Sequence, residues 1–141
     1  MSKDIKIIKL DKKGIHEYQQ NRYPYLMIDY AEKIIPGEIA NGYKDIIDDF
    51  FLDVHWPNDP NMPGMLQIEA LVQMGALSIL TLPGNKGKIA YLISADKLKF
   101  QKKIVSGDRM NIFTEVKSFK RGICEMKGYA TVNEKIACKA E

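Results

Sequence analysis

The stretch over residues 65–82 most constrains what this chain can fold into, because it is apolar almost throughout. Pro63 and Gly64 precede it and Pro83 and Gly84 follow it, a pattern that predicts a helix beginning near the first proline and ending near the second. It is interrupted by only a few polar residues, among them Gln67, Glu69, Gln73 and Ser78. They indicate a buried helix rather than a membrane span. A helix that is apolar on nearly every side must be wrapped by other elements.

The elements that could wrap this helix lie on both sides of it in the sequence. Before it, residues 25–35 and 38–47 are predicted strands of a hairpin, joined by the turn signal Pro36-Gly37. Four further strands are predicted after it, at residues 88–100, 109–120, 122–133 and 135–140. This order predicts an α+β fold in which a curled antiparallel sheet wraps one long central helix.

The beginning of the chain is a charged lead-in over residues 1–14, with a short strand predicted at residues 5–10. Residues 15–20 could form one helical turn. With 141 residues, the chain is expected to be one domain over residues 1–141. The lead-in lacks the apolar core of a signal peptide, so a cytoplasmic location is expected.

Charge and cysteine content exclude several classes of function. A net charge of +3 and the lack of a basic run with interleaved aromatic residues argue against nucleic-acid binding. Cys124 and Cys138 have neither CxxC spacing nor a neighbouring histidine cluster, so no structural metal is expected. Both lie in predicted strands, where buried, reduced thiols are favoured over a disulfide.

Two ionisable residues near the helix start could carry acid–base chemistry. His55 lies in a loop stiffened by prolines at positions 57, 60 and 63, and a neutral imidazole is the natural base near pH 7. Glu69 is the isolated carboxylate of the apolar helix, where a glutamate is rare unless it is paired or functional. The alternative for Glu69 is a salt bridge to a lysine or arginine. For His16 a structural role is preferred.

Four segments in order resemble a known family: RYPYLMID, FFLDVHWPNDPNMPGMLQIEALVQ, ADKLKFQKKIVSGD and KGYATVNEKIACKAE. Over residues 15–141 they resemble the hot-dog-fold 3-hydroxyacyl-[acyl-carrier-protein] dehydratases of fatty acid synthesis. The specific part is the block His-aromatic-Pro, Met-Pro-Gly and Glu-Ala-Leu-x-Gln. The resemblance implies a hot-dog fold and dehydration of a 3-hydroxyacyl thioester to the trans-2-enoyl thioester.

The resemblance also implies roles for single residues. His55 matches the catalytic histidine and Glu69 the catalytic carboxylate. Gly64 matches the glycine whose N–H faces the thioester oxygen, and Gln73 matches the glutamine that supports the carboxylate. Relatives that also isomerise the double bond carry aspartate at the carboxylate position, so Glu69 favours dehydration alone. Glu69, if an apolar pocket keeps it protonated, would protonate the departing hydroxyl.

An assembly and a partner are implied as well. The resemblance implies a homodimer whose sheets join edge to edge, often with three dimers in a hexamer, and a site that takes its histidine and carboxylate from different protomers. The substrate would arrive on the phosphopantetheine of acyl carrier protein, so no cofactor and no metal are implied. Four lysines could dock this acidic carrier, or could be a solvated strand face: Lys97, Lys99, Lys102 and Lys103.

Five apolar or aromatic residues could line the acyl tunnel of such an enzyme, or could be plain core: Phe51, Trp56, Met65, Leu66 and Tyr91. Three positions depart from the family pattern. Val54 and Asn58 replace glycines around the histidine, and Asn21 stands where a histidine commonly precedes Arg-Tyr-Pro. Two other hypotheses therefore stay open: a hot-dog acyl thioesterase, and a non-catalytic acyl-binding protein of the same fold.

Overall fold

A computed structural model describes residues 6–141 and shows one antiparallel sheet curled around a long helix. The strands are β1 (Ile8–Leu10), β2 (Tyr30–Ile35), β3 (Ile39–Asp45), β4 (Lys99–Phe100), β5 (Arg109–Lys120), β6 (Ile123–Val132) and β7 (Lys135–Ala140). The helices are α1 (Lys12–Tyr18), α2 (Phe51–Val54) and α3 (Gly64–Leu80). The seven strands follow the order β1-β2-β3-β5-β6-β7-β4. The predicted hot-dog fold is confirmed.

Helix α3 has seventeen residues and lies against β2, β3, β5, β6 and β7. Most of its residues are buried, and Met74 and Leu77 have no exposed surface. Thr81 ends the helix, since its hydroxyl donates to the carbonyl of Leu77 at 2.7 Å. The helix predicted from the apolar stretch is confirmed. Within residues 6–141 no helix is long and apolar enough to cross a membrane.

Alternation along the strands decides which side chains face α3. On β3 the buried positions are Ala40, Gly42 and Lys44, and β5 buries Met110 and Ile112 in the same way. Period-two alternation of this kind places one set of side chains against the helix and the other on the outer face of the sheet.

The predicted strand over residues 88–100 is wrong for most of its length. Only Lys99–Phe100 forms a strand, β4, paired with Lys139 and Cys138 of β7. Residues 88–98 have no regular secondary structure and are almost all exposed. A strand exists only where a neighbour completes its hydrogen-bond ladder, and β4 lies at the edge of the sheet.

The segments before α3 are shifted from their predicted bounds. Strand β2 begins at Tyr30 rather than at residue 25, because Tyr25 N–H donates to the carbonyl of Arg22 in a turn. Helix α1 begins after Asp11, whose side chain accepts from the Gly14 N–H at 2.8 Å. Strand β1 begins at Ile8; the predicted strand's first residue lies outside the described residues.

Both cysteines are free thiols, as expected. Cys138 is fully buried on β7, and this burial raises the pKa of its thiol to about 11. Cys124 is only half-buried, so the expectation of a buried thiol is confirmed for Cys138 alone.

Gly42 allows the closest approach between β2 and β3. A Cβ added at Gly42 would lie 1.9 Å from the carbonyl oxygen of Tyr30 and 2.7 Å from Cε of Met74. A side chain there would therefore push apart the strand pair and the helix beneath it.

We predict that Gly42→Ala lowers the free energy of unfolding by about 1–3 kcal/mol or more, because backbone must move to admit the methyl group. Gly14→Ala is the matched control in α1, where the added Cβ meets only side-chain atoms, at 3.1 Å or more. Urea unfolding followed by circular dichroism measures both. Equal stability of the two variants would contradict this packing.

Candidate active site

His55 is held at the end of a short helix. Helix α2 is anchored by the buried side chain of Phe51, and the His55 N–H caps it by donating to the Phe51 carbonyl at 2.8 Å. Trp56 follows with a φ of 60°, in the left-handed region that non-glycine residues seldom adopt. The chain therefore turns sharply just after the histidine.

The imidazole of His55 has one nitrogen engaged and one free for chemistry. Nδ1–H donates to the carbonyl oxygen of Asn61 at 3.0 Å. A carbonyl oxygen only accepts, so the proton of the neutral ring lies on Nδ1 and the lone pair on Nε2. The indole of Trp56 stacks on the ring, with centroids 4.6 Å apart and planes 25° apart. The neutral ring thus presents Nε2 as the nitrogen that can accept a proton.

Two contacts tie the loop of His55 to the segment after β4. The Met62 N–H donates to the carbonyl of Ile104 at 2.8 Å. The ammonium of Lys103 lies 2.6 Å from Asp59 at the surface. The loop therefore has a defined path although it has no regular secondary structure.

Glu69 is half-buried on α3 and is held by two amides. Its Oε2 accepts from Nε2 of Gln73 at 2.7 Å and from Nδ2 of Asn21 at 3.3 Å. Among residues 6–141, none of the ion pairs includes Glu69. The salt-bridge alternative therefore finds no support in the described part of the chain.

Gln73 is a fixed connector between α3 and the segment before β2. Its Oε1 accepts from the Met27 N–H at 2.7 Å, and its Nε2 donates to the Tyr25 carbonyl at 2.9 Å and to Glu69. An N–H only donates and a carbonyl only accepts, so the carboxamide can have one orientation only. The hydrogen bond between Gln73 and Glu69, expected from their spacing of four residues, is present.

Gly64 is the first residue of α3 and lies under the ring of Phe100. A Cβ on Gly64 would be 2.9 Å from Cε1 of Phe100. The preceding Pro63 makes no side-chain hydrogen bond to the helix start. Among the described residues, the N–H groups of Leu66 and Gln67 donate to the Pro63 carbonyl at 3.0 Å, whereas those of Gly64 and Met65 have no partner, as an oxyanion site requires.

A cavity of about 110 Å³ opens beside Glu69. It is lined by residues 19–21 and by one face of α3. Four residues of the exposed segment 88–98 complete the lining: Lys88, Ile89, Ala90 and Leu92. Among residues 6–141, no residue of the loop of His55 lines it. This cavity beside Glu69 therefore does not include His55 of the same chain.

The other predicted site residues lie in different environments. Trp56, Met65 and Tyr91 are exposed, whereas Phe51 is fully buried and Leu66 packs against the core. None of these five predicted tunnel residues lines the cavity beside Glu69.

The four lysines are also divided. Lys97 and Lys99 line a separate groove of about 650 Å³, together with the stacked rings of Phe113 and Tyr129. Lys103 pairs with Asp59 beside the loop of His55.

Asn21, noted in the sequence only as a departure from the family pattern, is the functional residue that sequence reasoning missed. Its bond to Glu69 joins positions 48 residues apart, which no local pattern reveals.

Among residues 6–141, no group of three or more histidine, cysteine, aspartate or glutamate side chains could hold a metal ion. The described chemistry at this site is therefore that of an imidazole, a carboxyl group, amides and the N–H groups of a helix start.

Comparison with known proteins gives consistent matches. The family model described as a FabA-like domain matches residues 20–141. A 3-hydroxyacyl-[acyl-carrier-protein] dehydratase FabZ from Clostridium novyi is 41% identical over 132 residues, covering 91% of this chain and 93% of the relative. The FabZ of Oceanobacillus iheyensis is 38% identical over 133 residues, covering 94% and 95%.

Two solved structures share the fold at low identity. A chain of the dehydratase heterocomplex ApeI:P from Xenorhabdus doucetiae matches with a TM-score of 0.73 at 12% identity, over 89% of this chain and 86% of that one. A hypothetical thioesterase from Streptococcus pneumoniae, solved with coenzyme A, matches with a TM-score of 0.61 at 19% identity, over 78% of each chain. At these identities the matches show the fold alone.

We predict that Gln73→Met destabilises the fold more than Gln67→Met. The first change leaves the Met27 N–H and the Tyr25 carbonyl without their partner, and an unpaired buried polar group costs about 1–3 kcal/mol. Gln67 makes one bond, to the Met62 carbonyl, and already buries an unpaired Oε1. Urea unfolding compares the two variants, and a larger loss for Gln67→Met would contradict the role assigned to Gln73.

Proposed function

The chain belongs to the family of FabA-like domains, and we propose that it dehydrates a 3-hydroxyacyl thioester on acyl carrier protein in fatty acid synthesis, with His55 and Glu69 as its catalytic pair. The match to FabZ dehydratases extends over nearly the whole of both chains. The family resemblance found in the sequence is thereby confirmed. The observation that carries the residue assignment is the free Nε2 of His55, since the Asn61 carbonyl holds the proton of the neutral ring on Nδ1.

The first step is removal of a proton from the carbon next to the thioester carbonyl. Nε2 of His55 takes this proton, and the electron pair of the C–H bond moves toward the thioester oxygen. Negative charge grows on that oxygen, and the N–H of Gly64 and the dipole of α3 stabilise it. Gly64 is suited to this position because Phe100 leaves no room for a side chain over the helix start.

The second step is loss of the hydroxyl group from the next carbon. Glu69 in its acid form gives its proton to the hydroxyl as the C–O bond breaks, so water leaves and the 2,3 double bond forms. His55 then holds one extra proton and Glu69 has lost one. Transfer of a proton between them, directly or through water, restores both groups.

The site is completed by a second copy of the chain. The cavity beside Glu69 does not include His55 of the same chain, and the exposed segment beside the edge strand β4 carries consecutive apolar residues: Tyr91, Leu92 and Ile93. An exposed apolar edge of a sheet is a surface for strand pairing. Joining two such edges covers these residues and brings the loop of His55 toward Glu69 of the partner. Three such dimers could form the hexamer expected from the sequence.

The carrier partner follows from the same function. Acyl carrier protein delivers its substrate on a phosphopantetheine arm, and Lys97, Lys99, Lys102 and Lys103 are the docking lysines predicted from the sequence. Lys102 and Lys103 are the stronger candidates, because Lys103 pairs with Asp59 beside the loop of His55. The acyl chain would pass the tunnel residues named from the sequence, from Trp56 and Met65 at the surface inward.

No cofactor enters this chemistry. The cytoplasmic location stays a prediction.

A thioesterase of the same fold is the competing function. It would release a free thiol from an acyl thioester, whereas a dehydratase converts enoyl and 3-hydroxyacyl thioesters without releasing thiol. Incubation with a 3-hydroxyacyl thioester and a thiol reagent distinguishes the two. Binding without turnover would instead indicate the non-catalytic alternative.

We predict that His55→Ala lowers kcat for hydration of a crotonyl thioester by roughly 10²–10⁴, because the ring that takes the proton in dehydration must return it to the same carbon in hydration. The change leaves the core intact, so the melting temperature should stay close to that of the parent. His16→Ala, at the other histidine of the chain, is the matched control and should keep the parent rate. An unchanged rate in His55→Ala would refute the assignment.

We predict that Ile93→Asp converts a dimer into a monomer, because it places a charge in the apolar edge. Ile123→Asp is the control at the first residue of β6, where the isoleucine is 56% exposed against 79% for Ile93. Size-exclusion chromatography with light scattering gives the mass of each variant. A monomeric parent, or a dimer that survives Ile93→Asp, would count against this interface.

A further inference from the structure

Asn21 connects the segment between α1 and β2 to the carboxyl group on α3. Its Nδ2 lies 3.3 Å from Oε2 of Glu69. Gln73 donates to the same oxygen at 2.7 Å. Two amides from different parts of the chain therefore converge on one atom of the carboxyl group.

This convergence determines which oxygen can carry a proton. A carboxyl oxygen has two lone-pair directions in its plane. The Gln73 carboxamide is locked by Met27 and Tyr25, so its NH₂ group, rather than its oxygen, faces Glu69. With Asn21 donating as well, both lone-pair directions of Oε2 are occupied. The proton of the acid form is therefore placed on Oε1.

We propose that Asn21 is a positioning residue which, together with Gln73, holds Oε2 of Glu69 as a pure acceptor and leaves Oε1 as the oxygen that delivers the acid proton. This role rests on the proposed dehydration reaction. It is absent from the sequence-based assignment, which placed only Gln73 beside the carboxylate.

The neutrality of Asn21 is part of this role. The groups that line the cavity with Glu69 are neutral apart from Lys88, which comes from the exposed segment. Arg22, the next residue, directs its guanidinium to the carbonyls of His16, Gln19 and Asn21 rather than to Glu69. The amide of Asn21 neither gains nor loses a proton as the pH changes, so it adds no titration of its own to that of Glu69. An ionisable side chain at this position would instead couple its own titration to that of Glu69.

Three substitutions test the role through the dehydration of a 3-hydroxybutyryl thioester, because Glu69 enters the reaction in its acid form in this direction. Asn21→Asp keeps the size but replaces the donor by a carboxylate against Oε2, and should lower kcat by about 10–100-fold with KM little changed. The two carboxylates, at positions 21 and 69, would then share one proton and keep it to a higher pH than Glu69 does alone. The alkaline limb of the pH–kcat profile should therefore shift to higher pH. Asn21→Ala should lower kcat by a smaller factor than Asn21→Asp and should shift the alkaline limb by less. Asn21→His can donate through a ring N–H and should recover kcat above the alanine variant.

The control adds the same charge elsewhere. Asn111 lies on β5 between the buried Met110 and Ile112, so its side chain is on the outer face of the sheet. Asn111→Asp should leave kcat and its pH profile unchanged. Thermal melts of all variants establish that they are folded under the assay conditions.

The outcomes separate this role from the function itself. A lower kcat at constant KM and melting temperature, with the shifted limb in Asn21→Asp, supports the proposal. Parent kcat and an unshifted profile in both Asn21→Asp and Asn21→Ala would overturn it while leaving the dehydratase intact. A loss of activity that only follows loss of folded protein would also overturn it. A parent protein without any dehydration activity would contradict the dehydratase function and, with it, this role.

Discussion

A helix that has no continuous polar side is stable in water only where the rest of the chain covers it, and α3 imposes that condition on this fold. Five strands lie against α3, and the inward positions of β3 and β5 are small or apolar apart from Lys44, which pairs with Asp49. The close approach at Gly42 shows how little space separates the sheet from the helix, since Met74 of α3 would meet any added side chain. The curvature of the sheet follows from this need to surround one cylinder.

The same burial explains the chemistry that α3 can support. A carboxyl group on such a helix loses water as a partner and needs hydrogen bonds from the protein. Gln73 supplies one from a single turn further along, and its remaining polar atoms hold Tyr25 and Met27 of the segment before β2. The segment that covers α3 is therefore also the segment that orients its acid. On the other side, the ring of His55 is held by the Asn61 carbonyl of its own loop, and Gln67 of α3 donates to the Met62 carbonyl of that loop.

Much of the fold could be predicted from the sequence because its signals are local. Proline and glycine mark both ends of α3, and Pro36-Gly37 marks the turn between β2 and β3. The prediction of a strand over residues 88–100 failed at residues 88–98 because an apolar run marks a surface that can pair, and among residues 6–141 no strand pairs with it there. Of the two hydrogen bonds to Glu69, the one from Gln73 could be predicted, because these residues are four positions apart on the same helix. The bond to Asn21 depends on how the segment before β2 folds back on α3, which only the tertiary structure shows.

Whether His55 and Glu69 of different subunits form one site is tested most directly by mixing two inactive variants, His55→Ala and Glu69→Gln, and refolding them together. In a mixed dimer one of the two shared sites would receive both intact side chains. Random assortment should then restore about a quarter of the parent rate of crotonyl thioester hydration, since half of the dimers are mixed and each has one working site. A refolded mixture that stays as inactive as its separate components would contradict a site shared between subunits.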